Sequence, residues 1–390
     1  MDNKVRVNFK DKKISKKKLA LVISLGILII IAIVITSLYI ANINVRNWMD
    51  MYIFRKNVIE ERLDTIDLEN ENSSIYAYDN HIVILENNVL SFYNQVGKKE
   101  TSINVSITTP IFESSGNYLL VADKGGKNVY LIYNTSLQWQ KTMDGNVSEA
   151  VVNKNGAVGV VLTGTTYKSV IVMYGITGNE EFKTYLSSTI AVDIAISENS
   201  QNLSFAEINT SGTIIDSVVK TISVEKAKNS PAEAIINTYK PESNSIIVKL
   251  KYNKEKLICQ YDNSVYMLND GNSTKLLEIN NNSLFVDINV LGYICNLVEN
   301  QAGILTSEYE LKIMDVDNKK ESSYILNSMP KSLYCSNNII GINMGNDIEF
   351  VNHNGWLIKS FSSKQSFKDV VIGEKIIGIV YKDRVELITI

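Results

Sequence analysis

Hydrophobic and polar positions fall into three regimes along the 390 residues. From Leu19 to Ala41 the chain reads LALVISLGILIIIAIVITSLYIA, 23 residues without a charge. A helix of that length crosses about 30 Å of hydrocarbon with some tilt. Residues 42–70 then place Val45, Trp48, Met49, Tyr52, Ile53, Ile59, Leu63 and Ile66 at mostly helical spacing, which predicts a helical juxtamembrane connector. Trp48 and Tyr52 are expected in the outer membrane interface, where aromatic rings with a polar edge are favoured. From Ser73 onward the apolar runs shorten to strand length and are bounded by Asn, Gly, Asp and Ser.

The third regime repeats with a period of roughly 40 residues, the range in which each repeat is one supersecondary unit. Its best-defined strand recurs as HIVILEN, NYLLVAD, AVGVVLTG, NLSFAEI, KLICQYD, GYICNLVE, IIGINMG and IIGIVYK. A turn and another strand follow most of these, as in NVLSFYN or SVYMLND, and then a more polar strand such as LQWQKTM or WLIKSFS. Four short antiparallel strands per unit, repeated around a centre, predict an all-β body: a β-propeller of eight four-stranded blades, preceded by the one N-terminal transmembrane helix. The last unit, ending KDRVELITI, lacks its outer strand, and the segment RLDTIDL at Arg62–Leu68 is expected to supply it and close the ring. The spacing swells at VEKAKNSPAEAIINTYKPESNS between units four and five, which leaves seven blades as the alternative count. The resulting organisation is a basic tail (1–18), a membrane helix (19–41), a connector with the ring-closing strand (42–70) and the propeller (71–390).

The stretches VYLIYNTSLQWQ, IVMYGITGNEEF and EFVNHNGWLIKSF resemble quinoprotein-like and WD-like propeller repeats, in which a strand runs through a Gly-containing turn into an outer strand. The Trp-Asp dipeptide is absent and the outer-strand Trp occurs only as Trp139 and Trp356, so the resemblance carries over no cofactor residues. Tail, single span and propeller together resemble uncharacterised single-pass envelope proteins of Gram-positive bacteria.

Charge sets the expected orientation. Residues 1–18 hold eight basic and two acidic groups, against Arg46, Arg55 and Lys56 shortly after the span, which places the N-terminus inside and the propeller outside the cytoplasm. The span reads as an uncleaved anchor, because its apolar core exceeds that of a cleavable signal peptide and no Ala-x-Ala-like site follows. The tail carries a net +6 of a formal total of −3, so the remainder is acidic at −9; no nucleic-acid partner is expected, and the tail is suited to anionic lipid.

Chemistry is sparse. Only Arg384 follows residue 62, so no arginine cluster can grip a carboxylate substrate, and no G-x-S-x-G nucleophile motif occurs. His81 and His353 are isolated, and Cys259, Cys295 and Cys335 lie far apart without metal-ligand spacing. MDVDNKKE, with Asp315 and Asp317, fails the calcium-loop pattern at its Gly and third-ligand positions and reads as a hairpin turn. No cofactor, metal or catalytic residue is expected. What remains is a set of acidic residues at the starts of the innermost strands, VSEAVVN, AVDIAIS, FVDINVL and FKDVVIG. These put Glu149, Asp193, Asp287 and Asp369 at equivalent places around one mouth of the channel. The alternative role of such residues is to bond local backbone N–H groups. The expected function is a membrane-anchored, extracytoplasmic, non-catalytic binding, scaffold or sensor module for an envelope protein or cell-wall ligand, with an extracytoplasmic propeller enzyme as the alternative.

Overall fold

The computed structural model of the chain describes residues 16–41, 45, 49, 53, 64–211, 216–241, 245–289, 291–301, 307–336 and 338–389. The tail before Lys16, Trp48, Tyr52 and nearly all of the expected connector helix lie outside these residues. The chain divides into two compact units, residues 1–58 and 59–390.

The first unit contains helix α1, Lys16–Ala41, whose segment Leu21–Ile40 is long and apolar enough to cross a membrane. Two of its hydroxyls bond within the helix: Ser24 Oγ donates to the Leu21 carbonyl and Thr36 Oγ1 to that of Ala32. Such bonds would suit a helix in hydrocarbon, which offers polar groups no partner.

The second unit is an eight-bladed propeller. Among the described residues its strands form eight four-stranded antiparallel sheets. Seven blades run outward from the centre in sequence order: blade 1 spans 74–104, blade 2 110–142, blade 3 146–186, blade 4 190–239, blade 5 247–278, blade 6 283–326 and blade 7 332–362. Blade 8 takes three strands, Asp369–Ile372, Ile376–Val380 and Arg384–Thr389, from the far end of the chain and its outer strand, Asp64–Asp67, from the near end. In that closure Ile66 lies opposite Val385 and Asp67 opposite Arg384. The closing strand falls within the segment expected to supply it.

Side-chain alternation turns the sheets into a ring. In the second strand of blade 3, Val158, Val160 and Leu162 face blade 2, while Val161 faces blade 4. Each pair of adjacent blades encloses one such apolar cluster, including the junction of blade 8 with blade 1, where Ile66, Val385 and Leu387 meet Ile82 and Ile84. Strands buried on both faces carry no polar alternation, which is why they stand out as continuous apolar runs.

Two sequence features have local causes that the repeat pattern leaves hidden. The swollen spacing is an insertion inside blade 4, between its third and fourth strands, and not a gap between units: a short helix, α2 (Val224–Asn229), starts at Ser223, whose Oγ accepts from the Lys226 N–H. Val224 and Ala227 of α2 are buried in the cluster between blades 3 and 4, so the insertion thickens the core without changing the count of eight. The Asn content has a structural use at the turns between third and fourth strands. Asn94, Asn153 and Asn352 each accept two downstream backbone N–H bonds at Oδ1, and Gly97, Gly156 and Gly355, three residues on, adopt positive φ. Asn caps such a turn and Gly enters the left-handed region at no steric cost. In blade 3 this turn joins the first and second strands instead.

Gly378 marks the close approach of blade 8 to blade 1. A Cβ there would stand 2.9 Å from both Val371 Cγ2 and Val385 Cγ1 and 3.1 Å from Ile82 Cδ1. Overfilling a close-packed interface forces neighbours off their rotamers, so Gly378→Val is expected to cost about 1–3 kcal/mol. Denaturant midpoints of parent and variant check this, and equal midpoints would mean that the space beside Gly378 is not filled.

Candidate functional site

The innermost strands of blades 2–5, Pro110–Ser115, Asn146–Val152, Ile190–Ile196 and Ile247–Asn253, enclose a cavity of about 150 Å³. Three of these strands carry a β-bulge near the start, where the register against the second strand shifts: after Val147, after Ala191 and after Ile247. A bulge re-aims the residue that follows it. Here those residues are Glu149, Asp193 and Lys249, all lining the cavity together with Glu113 and Lys251.

Glu149 and Asp193 thus take equivalent places, as the aligned strand starts predict. Asp287 does not. The bulge of blade 6 precedes Phe285, so Asp287 sits two residues further along its strand, and Lys249 occupies the equivalent place in blade 5. Asp287 still joins the group from outside, through an ion pair of 2.6 Å between its Oδ1 and Lys249 Nζ. Asp369 lines a different cavity, with Ser74, Phe112 and Lys368. The four acidic positions are therefore not one ring: two share a cavity, one reaches it through a lysine and one is separate. Trp48 and Tyr52, the expected interface pair, lie outside the described residues.

The four share a local hydrogen bond. Each accepts, through one side-chain oxygen, from the backbone N–H of the next residue: Ala150 to Glu149 at 3.2 Å, and Ile194 to Asp193, Ile288 to Asp287 and Val370 to Asp369 at 2.8 Å. Asp193 adds a bond across the blade boundary, its Oδ2 accepting from the Leu250 N–H of blade 5 at 2.5 Å. Each of the four thus fastens its own inner strand, and Asp193 also fastens two blades together.

Burial dominates the electrostatics. Asp193 is pushed up to about 7 by desolvation, against the downward pull of the Leu250 and Ile194 N–H bonds and with a further upward push from Glu149. Desolvation also raises Glu149. Glu113 is raised by desolvation too, opposed by the positive charges of Lys251 and Lys249. Lys251 is lowered by burial first and by its neighbour Lys249 second. For Lys249 burial pulls downward, but the Asp287 carboxylate outweighs it and holds the ammonium above its ordinary range.

Glu113, Lys249 and Lys251 escape sequence reasoning because alternate residues on a strand read as a polar face. The available signal is IIVKLKY, two lysines at the period of a strand placed on an innermost strand of the repeat. Elsewhere, Asp315 Oδ1 accepts from the Asp317 N–H in a tight turn, and Asp317 pairs with Lys254 and Lys256 of blade 5, which makes MDVDNKKE a hairpin turn as expected. His81 bonds Glu100 at 3.0 Å, and His353 stacks on Tyr293 with ring centroids 4.8 Å apart. Cys295 and Cys335, 40 positions apart in sequence, share the apolar cluster between blades 6 and 7. Among the described residues, no group of three His, Cys, Asp or Glu side chains is placed to hold a metal ion.

Comparison with solved structures supports the fold. BamB from Moraxella catarrhalis aligns with a TM-score of 0.52 at 8% identity, covering 84% of this chain and 99% of that one. The C-terminal WD40 domain of Sif2 aligns with a TM-score of 0.56 at 10% identity, again covering 84% of this chain and 99% of that one. At such identities the likeness is one of architecture, in keeping with the resemblance to WD-like repeats. No curated protein matches the chain. A family model does, over residues 53–390, and its description is that of a family of unknown function.

Proposed function

Because the chain belongs to that family, DUF5711, whose function is unknown, we propose a role from its own architecture: a membrane-anchored, extracytoplasmic propeller that acts as a non-catalytic binding module. The observation that carries this reading is the pairing of a closed eight-bladed ring with an apolar helix, Leu21–Ile40, that is suited to span a bilayer. A closed ring is a rigid platform whose inner strands converge on shared concave surfaces, the usual place for a ligand. Glu149 and Asp193 of the cavity, with Asp287 behind Lys249, form its polar binding wall; Asp369 contributes a second surface. Trp48 and Tyr52 anchor the connector in the outer interface, and the basic tail holds the inner leaflet. The partner is an envelope protein or a cell-wall component.

Orientation provides the test. In a background with the native cysteines replaced, single cysteines are introduced as Lys10→Cys and Lys127→Cys, the latter at an exposed turn of blade 2. A membrane-impermeant maleimide applied to intact cells is expected to label residue 127 and to reach residue 10 only after permeabilisation. Labelling of residue 10 in intact cells overturns the topology. Release of a shortened propeller into the medium overturns the anchor and makes the helix a cleaved signal.

A further inference from the structure

Two side chains on the cavity wall are left without partners. Glu113, on the innermost strand of blade 2, and Lys251, on that of blade 5, both line the same cavity. Each keeps part of its surface open to it while the ring encloses the rest. Neither makes a hydrogen bond or ion pair with any described residue, although each feels the other's charge across the gap. The contrast with the neighbouring charges is plain. Lys249 is neutralised by Asp287, Lys154 pairs with Glu198 and Asp193 holds two backbone N–H groups.

Enclosing an ion without a counter-ion opposes folding, and one attraction too distant for contact does not offset that. A carboxylate and an ammonium facing one cavity from two blades therefore specify what would relieve them both: a guest that carries both an ammonium and a carboxylate. Glu149 stands beside Glu113 to favour the guest's ammonium, while Lys251, with Lys249 already engaged by Asp287, is left to meet its carboxylate. The cavity, about 150 Å³, suits a small molecule and excludes a folded partner.

We infer that the central cavity is a binding site for a small zwitterion of the free α-amino acid class, its ammonium held by Glu113 and its carboxylate by Lys251. The site deepens the binding-module reading but is independent of membrane topology, so the two fail separately: the labelling experiment addresses the anchor, and the titration below addresses the cavity.

The experiment uses the full chain in detergent, titrated calorimetrically with glycine, alanine, serine, valine and aspartate. Acetate and methylammonium, each carrying one of the two charges, are run at the same concentrations. At least one amino acid is expected to give a saturable isotherm, while acetate and methylammonium give none. Glu113→Gln and Lys251→Met are each expected to weaken that binding at least tenfold. In the absence of ligand both variants should melt no lower than the parent, because each removes an unpaired enclosed charge. That result separates a ligand site from a structural pair, whose loss would lower the melting temperature. Silence from all five amino acids overturns the proposal. So does binding that both variants retain, or acetate binding as tight as that of the amino acid, which would make this an anion site at the lysines. If one variant fails to fold, the other still decides, since the two act on the two charged groups of the same guest.

Discussion

A chain lacking Asp64–Asp67 is expected to lose its cooperative unfolding transition, not merely to melt a little earlier. The strand is four residues long, yet it gives blade 8 its outer edge and carries Ile66, only 3% exposed, into the cluster that joins blade 8 to blade 1. Without it Arg384–Thr389 becomes a bare edge, and the side chains that Ile66 covers meet water. A single substitution isolates the packing contribution from that of the backbone. Ile66→Ala leaves the ladder intact and is expected to cost about 2–5 kcal/mol, in line with other large-to-small core changes. Ile66→Asp adds an enclosed charge and should approach the deletion in severity, since whole domains are stable by only about 5–15 kcal/mol. Thermal and denaturant unfolding of the full chain in detergent, followed by circular dichroism, distinguishes these outcomes. A deletion that melts within a few degrees of the parent would show that the ring does not depend on its closing strand.

The second large effect is a dependence of stability on pH centred at Asp193. Its folded-state carboxyl titrates at about 7, against an ordinary value of 3.8, with burial as the leading cause. Between those pH values the folded chain keeps a proton that the unfolded chain has lost. The associated stability is therefore fully present below about pH 4 and disappears as pH rises through about 7. A tenfold change in proton affinity is worth about 1.4 kcal/mol, so the rise from 3.8 to about 7 amounts to about 4 kcal/mol, less whatever the cavity's own water screens. Asp193→Asn removes the titration and has a separate cost. The two side-chain oxygens accept from the Ile194 and Leu250 N–H groups, and an amide turns its NH₂ toward one of them, leaving a donor unmet at about 1–3 kcal/mol. The variant is expected to be the weaker protein at pH 5, and the gap should narrow as the pH is raised to 8. A gap that stays constant over that range would mean that Asp193 is ionised throughout and owes nothing to burial.

What was legible in the sequence follows from burial on two faces. The eight second strands, from His81–Glu86 to Ile376–Val380, lie between neighbouring blades and carry almost unbroken apolar side chains, so both their number and their places can be read. The closing strand is legible for a different reason, a missing element at one end and a matching surplus at the other. The inner strands are harder. A bulge adds one residue without altering composition, so Asp287 aligns by eye with Asp193 although Phe285 is the true counterpart. Lysine on an inner strand looks like lysine on a solvated one, which hides Lys249 and Lys251. The meeting of Cys295 with Cys335 is likewise a product of the ring, set by which blades adjoin and not by spacing along the chain.

The same closure has a temporal side. Asp64–Asp67 is made first among the propeller's strands, and its partner Arg384–Thr389 is made more than three hundred residues later. Blades 1 to 7 can each assemble from contiguous chain as it is delivered, but the last blade cannot begin its final step until Arg384–Thr389 has been made. Bringing such distant ends together raises the loop-closure cost only logarithmically, so the delay is one of supply more than of entropy. Throughout that interval the earliest strand waits unpaired beside an open edge, exposed to proteases and to other chains. A chain that stops before Arg384 never leaves that state. The closing strand thus makes the protection of the ring conditional on the delivery of blade 8, seven blades after the strand itself has been made.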